Sequence, residues 1–184
     1  MSDIADEHRK VAEAFTNTVK GVGPDQWDQP APPEGWVARD VVAHLVEWLP
    51  AFLKNATGID LVVGPSVVDD PLGAWTSQTL AVQDLLDDPP AAEQIYDMAH
   101  LGTMSLEQAI QMIYIGDVFL HRWDLARATG QDETLDPQRC AEMLAGMEPM
   151  DEVLRQSGQY GPRVDVPDDA DAQTKLLAFI GRTP

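Results

Sequence analysis

The stretch IYIGDVFLHRWDLARATG, residues 113–130, decides the fold because it lies inside a long helical pattern yet carries an acid and an imidazole. The spacing predicts a helix over residues 105–129, with Ser105 as its N-cap and Gly130 at its end. At 3.6 residues per turn, one stripe of this helix combines three core-type residues with two polar ones. Its members are Leu106, Ile110, Ile113, Asp117 and His121. Asp117 and His121 are therefore expected to face inward.

Two explanations account for an inward carboxylate and imidazole, each of which is costly to bury without a partner. Asp117 and His121 are four residues apart, so they can hydrogen-bond each other across one helical turn. Alternatively they converge on a metal ion, as the two histidines of a zincin helix do at the same spacing. The D-x-x-x-H pattern alone leaves both explanations open.

The rest of the chain also has the pattern of helices separated by loops rich in proline and glycine. Further helices are predicted over residues 3–20, 38–57, 72–86, 136–157 and 171–180. Pro50 lies inside the second of these, where it predicts a kink or an early end near Leu49. No segment shows a convincing alternating strand pattern. The pattern predicts an all-α helical bundle that forms a single domain over residues 1–184.

Composition narrows the classes of function. The 184 residues are 44% hydrophobic and 23% charged, which is typical of a globular protein. The formal net charge of −19 disfavours binding to nucleic acid or to an anionic membrane. No signal peptide or membrane span is recognisable, and the single cysteine, Cys140, excludes an intramolecular disulfide. We expect a reducing, cytoplasmic setting.

A third metal-competent side chain favours the metal hypothesis. His44 lies in GWVARDVVAHLVEW, three residues after Val41 and four before Trp48, on the apolar side of the second helix. A lone histidine on such a face is usually a hydrogen-bonded core residue. Here three such groups project inward from two helices, which is how metal sites are built in helix bundles.

Three stretches carry a resemblance to a known family: GWVARDVVAHLVEW, GDVFLHRWDLARATGQ and the tail YGPRVDVPDDADAQTKLLAFIGRTP. They resemble the actinobacterial proteins related to mycothiol-dependent maleylpyruvate isomerase, within the DinB/YfiT-like superfamily. The pairing of W-x-x-R-D-x-x-x-H with a later H-x-x-D-L makes the resemblance specific. It implies a four-helix bundle, here with additional short C-terminal helices, and a divalent metal at its open end. By position, the implied metal ligands are His44, Asp117 and His121.

The chain departs from the family pattern at three points. Asp117 replaces the usual glutamate and is one methylene shorter, so the metal must move toward that helix or a water must bridge. Val37 stands where the family usually has a serine or threonine that caps the second helix. The isomerase carries a further C-terminal domain for which this chain is too short, which weakens the transfer of its reaction more than that of its metal site.

The expected chemistry follows from two imidazoles and one carboxylate, which leave positions on a metal ion open. Zn²⁺ is the default ion, and Ni²⁺, Fe²⁺ and Mn²⁺ accept the same ligand types. The resemblance implies a small thiol, mycothiol or a relative, acting on an electrophilic substrate in a transferase or isomerase reaction. The alternatives are a metal-dependent hydrolase without a thiol, or a non-catalytic metal-binding or interaction protein.

Residues around the proposed ligands leave several roles open. Three roles are open for Asp124: it orients His121, it forms a surface ion pair with Arg127, or it is a solvated carboxylate without a defined role. His8 and Cys140 are expected to be buried without joining the site, and His100 to lie in a solvated loop. The three flanking tryptophans are expected to form core or pocket walls: Trp36, Trp48 and Trp123. Apolar residues beyond one inner stripe, such as Val41, Val42 and Leu45, predict a homodimer.

Overall fold

A computed structural model describes residues 2–98, 101–156 and 158–184 of the chain. It forms two compact units, Met1–Asp132 and Glu133–Pro184. The described residues are mostly helical, which confirms the all-α expectation apart from one short hairpin. No helix in this described part combines the length and hydropathy needed to cross a membrane.

The first unit begins with four helices, two of which start at polar caps. They are α1 (Asp3–Lys20), α2 (Ala38–Thr57), α3 (Pro71–Asp87) and α4 (Pro89–Ala92). The Ser2 hydroxyl accepts the Ala5 N–H at the start of α1, and the Asp70 carboxylate accepts the Gly73 N–H at the start of α3. Such side chains satisfy backbone donors that the first helical turn leaves without partners.

Helix α2 is continuous through Pro50 and ends at Gly58, whose φ of 78° places it in the left-handed region. The expected early end near Leu49 is therefore wrong. At the other end, Val37 has no polar side-chain atom with which to cap the helix. Half of a capping box remains, because the Asp40 carboxylate accepts the Val37 N–H at 2.9 Å.

A two-stranded antiparallel hairpin follows α4, where no strand was predicted. Strand β1 (Ile95–Met98) pairs with β2 (Gly102–Ser105), and Tyr96 lies opposite Met104. Each strand is only four residues long. Such a segment is too short for alternation to distinguish it from a loop.

The long helix predicted over 105–129 is present but is interrupted by one π-helical segment. It consists of α5 (Leu106–Ile110), a π-helix (Gln111–Ile115) and α6 (Gly116–Thr129). Ser105 caps it in a capping box with Gln108, and Gly130 ends it at a φ of 67°. A π-turn holds more residues than an α-turn and so shifts the helical phase. As a result Ile113 is only half-buried, contrary to the predicted stripe, while Tyr114 is fully buried.

Helices α1 and α2 each pack against both α3 and α6 in the first unit. These four helices carry large buried apolar side chains that include Phe15, Leu45, Leu49, Trp75 and Trp123. Val41, Val42 and Leu45 are themselves fully buried within the chain. They therefore do not supply the surplus apolar surface from which a homodimer was predicted.

The second unit divides the helix predicted over 136–157 into three shorter elements. These are α7 (Pro137–Met147), a 3₁₀ turn (Glu148–Met150) and α8 (Asp151–Gln156), and Ser157 lies outside the described residues. Pro149 explains the division, because it has no N–H to donate within a continuous helix. Helix α9 (Ala172–Phe179) packs against α7 and begins at Asp171, whose carboxylate accepts the Thr174 N–H at 2.7 Å.

Candidate metal centre

Three side chains from two packed helices meet in the first unit. Helix α2 supplies His44, and α6 supplies Asp117 and His121 one turn apart. Their potential ligand atoms all lie within 4.8 Å of one another. The His44 Nε2 atom is 3.0 Å from Asp117 Oδ2, and the His121 Nε2 atom is 3.3 Å from Asp117 Oδ1. The structure thus brings together all three residues that the sequence singled out.

The spacing and chemistry of these atoms fit a divalent ion. In a tetrahedral zinc site, with metal–ligand distances of about 2.0–2.2 Å, neighbouring ligand atoms are roughly 3.4 Å apart. The 3.3 Å between His121 Nε2 and Asp117 Oδ1 is close to that value, and all three potential ligand atoms lie within 4.8 Å of one another. Imidazole and carboxylate are also the ligand types that zinc and related ions accept in proteins.

The three side chains are buried to different extents, so one side of the cluster is open to solvent. His121 is 8% exposed, whereas Asp117 is 25% and His44 is 31% exposed. The His121 side of the cluster is therefore buried in the protein, and the side formed by His44 and Asp117 remains accessible to solvent.

Asp124 orients the buried imidazole. Its Oδ2 atom is 2.9 Å from His121 Nδ1, and its side chain is 1% exposed. An ionised carboxylate only accepts hydrogen bonds, so the Nδ1–H of His121 donates to it and Nε2 is directed toward Asp117. Of the roles considered for Asp124, this contact supports the orienting one and excludes a solvated carboxylate.

The electrostatics of the cluster favour an ionised acid beside a protonated imidazole. Burial raises the pKa of Asp117, but the neighbouring His121 and His44 outweigh burial and bring that pKa below its usual value. Burial lowers the pKa of His121, yet Asp117 and Asp124 together raise it to about 9. Asp117 is thus already in the deprotonated form that a metal ligand requires.

Aromatic rings surround the cluster, as expected from the flanking tryptophans. The Trp36 ring stacks on the His121 ring at a centroid distance of 5.6 Å and lies 5.2 Å from the His44 ring. The Trp48 indole also forms a hydrogen bond with the cluster, because its N–H donates to Asp117 Oδ2 at 3.0 Å. Sequence reasoning missed this bond, although the position of Trp48 one turn after His44 on α2 offered a signal.

The other candidate residues lie apart from the cluster. His8 is buried, and its Nδ1 atom shares a hydrogen bond with the Gln83 side chain at 2.8 Å. Cys140 is buried in the second unit, and burial raises the pKa of its thiol to about 11, which suits an inert residue. His100 lies outside the described residues.

Comparison of the sequence with known protein families shows which family contains this cluster. The sequence model of the mycothiol maleylpyruvate isomerase N-terminal domain matches residues 8–126. The chain belongs to this family. The matched range includes His44, Asp117, His121 and Asp124, so the whole cluster lies within the mycothiol maleylpyruvate isomerase N-terminal domain. The family resemblance predicted from the sequence is confirmed.

Two relatives of this family member bear names that describe them as uncharacterized proteins. They are proteins of Mycobacterium tuberculosis, one from strain CDC 1551 / Oshkosh and one from strain H37Rv, each 28% identical to it over 182 residues. Each alignment covers 96% of this chain and 96% of the relative. No solved structure matches the chain.

Proposed function

We propose that the protein binds one divalent metal ion through His44, Asp117 and His121 and acts as a thiol-dependent transferase or isomerase. The observation that carries this proposal is the convergence of two imidazoles and one carboxylate in a cluster that is open on one side. Three protein ligands with an accessible remaining position are typical of catalytic rather than structural metal sites.

Each residue of the cluster has a defined part in this proposal. The His44 and His121 Nε2 atoms and one Asp117 oxygen would donate lone pairs to the ion, which requires His121 to release its Nε2 proton, and Asp124 holds the His121 ring in place. When bound, such an ion supplies Lewis acidity, lowering the pKa of a thiol and polarising a carbonyl group. Trp36 covers the imidazoles on one side and restricts the approach of water and substrate.

Ligand chemistry and the family support the choice of ion and thiol in this proposal. Zn²⁺ is the default ion for two histidines and one carboxylate, and Ni²⁺, Fe²⁺ and Mn²⁺ accept the same ligand types. The family is named for mycothiol, which supports mycothiol or a related small thiol as cosubstrate for an electrophilic substrate. Thiols of this kind stay reduced in the cytoplasm, which is the proposed location.

Two alternatives use the same residues. A metal-dependent hydrolase would activate water at the open position and need no thiol. A non-catalytic metal-binding protein would use the ion to join α2 to α6. The partial exposure of His44 and Asp117 favours an open reaction site over the second alternative.

A combined metal and thiol titration tests the proposal. Protein stripped with a chelator should take up about one divalent ion per chain, as measured by elemental analysis after reloading. Calorimetric titration with mycothiol should then show binding to the loaded protein. Binding to the stripped protein should be weaker by about tenfold or more, because the ion is the thiol's anchor.

The outcomes of this titration separate the alternatives. No metal uptake contradicts the whole proposal. Metal uptake without mycothiol binding contradicts mycothiol as the cosubstrate and favours the two alternatives that need no thiol, the hydrolase and the non-catalytic metal-binding protein. The Asp117→Ala variant serves as the control, since it should show neither metal uptake nor metal-dependent thiol binding.

We also propose how the helices of the first unit are arranged. Helices α1, α2, α3 and α6 form a closed set of pairwise contacts, which supports a DinB-like four-helix bundle. That the whole chain, residues 1–184, behaves as one domain stays a prediction.

A homodimer also remains a proposal, now supported by different residues. Leu80, Ile95 and Met112 are large apolar side chains that are exposed in the first unit. Burying them between two copies would remove apolar surface from water. Light scattering at micromolar concentration should give twice the chain mass of 20.2 kDa. A single species at the mass of one chain contradicts the homodimer.

A further inference from the structure

The Trp48 indole donates a hydrogen bond to the carboxylate at the centre of the cluster. Its Nε1 atom is 3.0 Å from Asp117 Oδ2, the same oxygen that lies 3.0 Å from His44 Nε2. The Phe52 and Tyr114 rings pack edge-on against this indole at centroid distances of 6.2 and 5.9 Å. Packing by two rings fixes the direction in which the indole N–H points.

This arrangement gives different roles to the two oxygens of Asp117. The indole N–H can only donate, and so it holds Oδ2 as an acceptor. The other oxygen, Oδ1, is directed toward His121 and lies 3.3 Å from its Nε2 atom. A carboxylate held at one oxygen presents the other in a defined position.

We propose that Trp48 is a positioning residue that anchors Asp117 through Oδ2 and presents Oδ1 as a single ligand oxygen to the metal ion. The inference rests on the proposed metal site and deepens it. It also accounts for the short acidic side chain, because an aspartate has one rotatable bond fewer than a glutamate and is fully oriented by one such anchor. The aspartate reaches less far than a glutamate, and the hydrogen bond from the indole fixes the direction of its carboxylate.

The test compares two tryptophan variants that are matched in chemistry. Trp48→Phe keeps an aromatic ring and removes the N–H that holds Asp117. We expect it to raise the metal dissociation constant about 10–100-fold, as loss of a partner behind a ligand does in other metal sites. Trp75→Phe is the control, because it also removes an indole N–H, one that donates to Thr16 Oγ1 at 2.8 Å outside the cluster, and it should leave metal affinity unchanged. Competition against a chromogenic chelator measures both, with Zn²⁺ as the ion.

A double-mutant cycle supplies a readout that a purely structural role would not change. Asp117→Glu places the carboxylate one methylene further from the backbone, where it is no longer aligned with the indole N–H of Trp48. Adding Trp48→Phe to the Asp117→Glu variant should then weaken Zn²⁺ binding much less than Trp48→Phe does in the wild type. The Co²⁺-substituted Trp48→Phe variant should also show an altered visible absorption spectrum, since its carboxylate ligand is no longer fixed.

Failure of this inference is distinguishable from failure of the metal site. If wild-type protein binds no Zn²⁺, both proposals are overturned. If wild type binds Zn²⁺ and Trp48→Phe matches Trp75→Phe in affinity and shows no coupling to position 117, only the positioning role is overturned. Should Trp48→Phe fail to fold, Trp48→Met removes the same donor with a side chain that fills irregular space, and the same comparison applies.

Discussion

Replacing His121 by alanine should abolish metal binding, with a dissociation constant for Zn²⁺ raised by more than about 100-fold. The variant loses a ligand outright, which exceeds the roughly 10–100-fold effect of losing a partner behind a ligand. Asp117→Ala should do the same, because it removes the charged ligand between the two imidazoles. Any thiol-dependent activity should disappear together with the metal. Elemental analysis and chelator competition measure the binding.

Asp117→Glu distinguishes a ligand role from a general structural role at the same position. It restores the longer acid of the family pattern and should retain the ion with altered affinity. His8→Gln is the matched histidine control, since His8 is buried on α1 but lies outside the cluster, and it should bind metal as the wild type does. Unchanged Zn²⁺ affinity in His121→Ala or Asp117→Ala would contradict the assignment of these ligands.

The stability of these variants must be measured beside their affinity. His121→Ala removes a hydrogen bond to the buried Asp124 carboxylate, which is 1% exposed. Losing a hydrogen bond to a charged group destabilises a protein by about 1.5–3 kcal/mol. Circular dichroism should therefore show a folded variant with a lower melting temperature, so that metal loss is not attributed to unfolding.

Helical periodicity was sufficient to predict that the three residues of the candidate site face inward, whereas their role as metal ligands was implied by the family resemblance. The i,i+4 spacing of Asp117 and His121 places them on one face of any α-helix, and the apolar residues around His44 direct it to the inside of α2. Two helices that bury those faces against each other bring the three groups together. The caps at Ser105 and Gly130 were equally predictable, because their chemistry is local.

Features that depend on tertiary packing were not predictable in this way. The π-helix over residues 111–115 shifts the helical phase without a residue type that marks it, and so Ile113 was wrongly placed in the core. The hydrogen bond from Trp48 to Asp117 joins two helices and depends on their separation. The break at Glu148–Met150 is different, since Pro149 indicates it in the sequence.

Removing the metal should leave the protein folded, and this prediction separates a catalytic ion from a structural one. The first unit has an apolar core of its own, in which Phe15, Trp75 and Leu106 are fully buried. A structural ion supplies much of the folding free energy, and its removal unfolds the chain. A catalytic ion at about 100 times its dissociation constant adds only about 2.7 kcal/mol.

Thermal melts followed by circular dichroism measure the difference. Addition of a chelator should preserve the helical signal at room temperature and lower the melting temperature by roughly 5–11 °C, the range expected for that free energy in a chain of this size. Asp117→Ala provides the control, because a variant that holds no ion should melt at the same temperature with and without chelator. Loss of helical signal at room temperature on chelation of the wild type would overturn the catalytic proposal, because the ion would then be what holds α2 and α6 together.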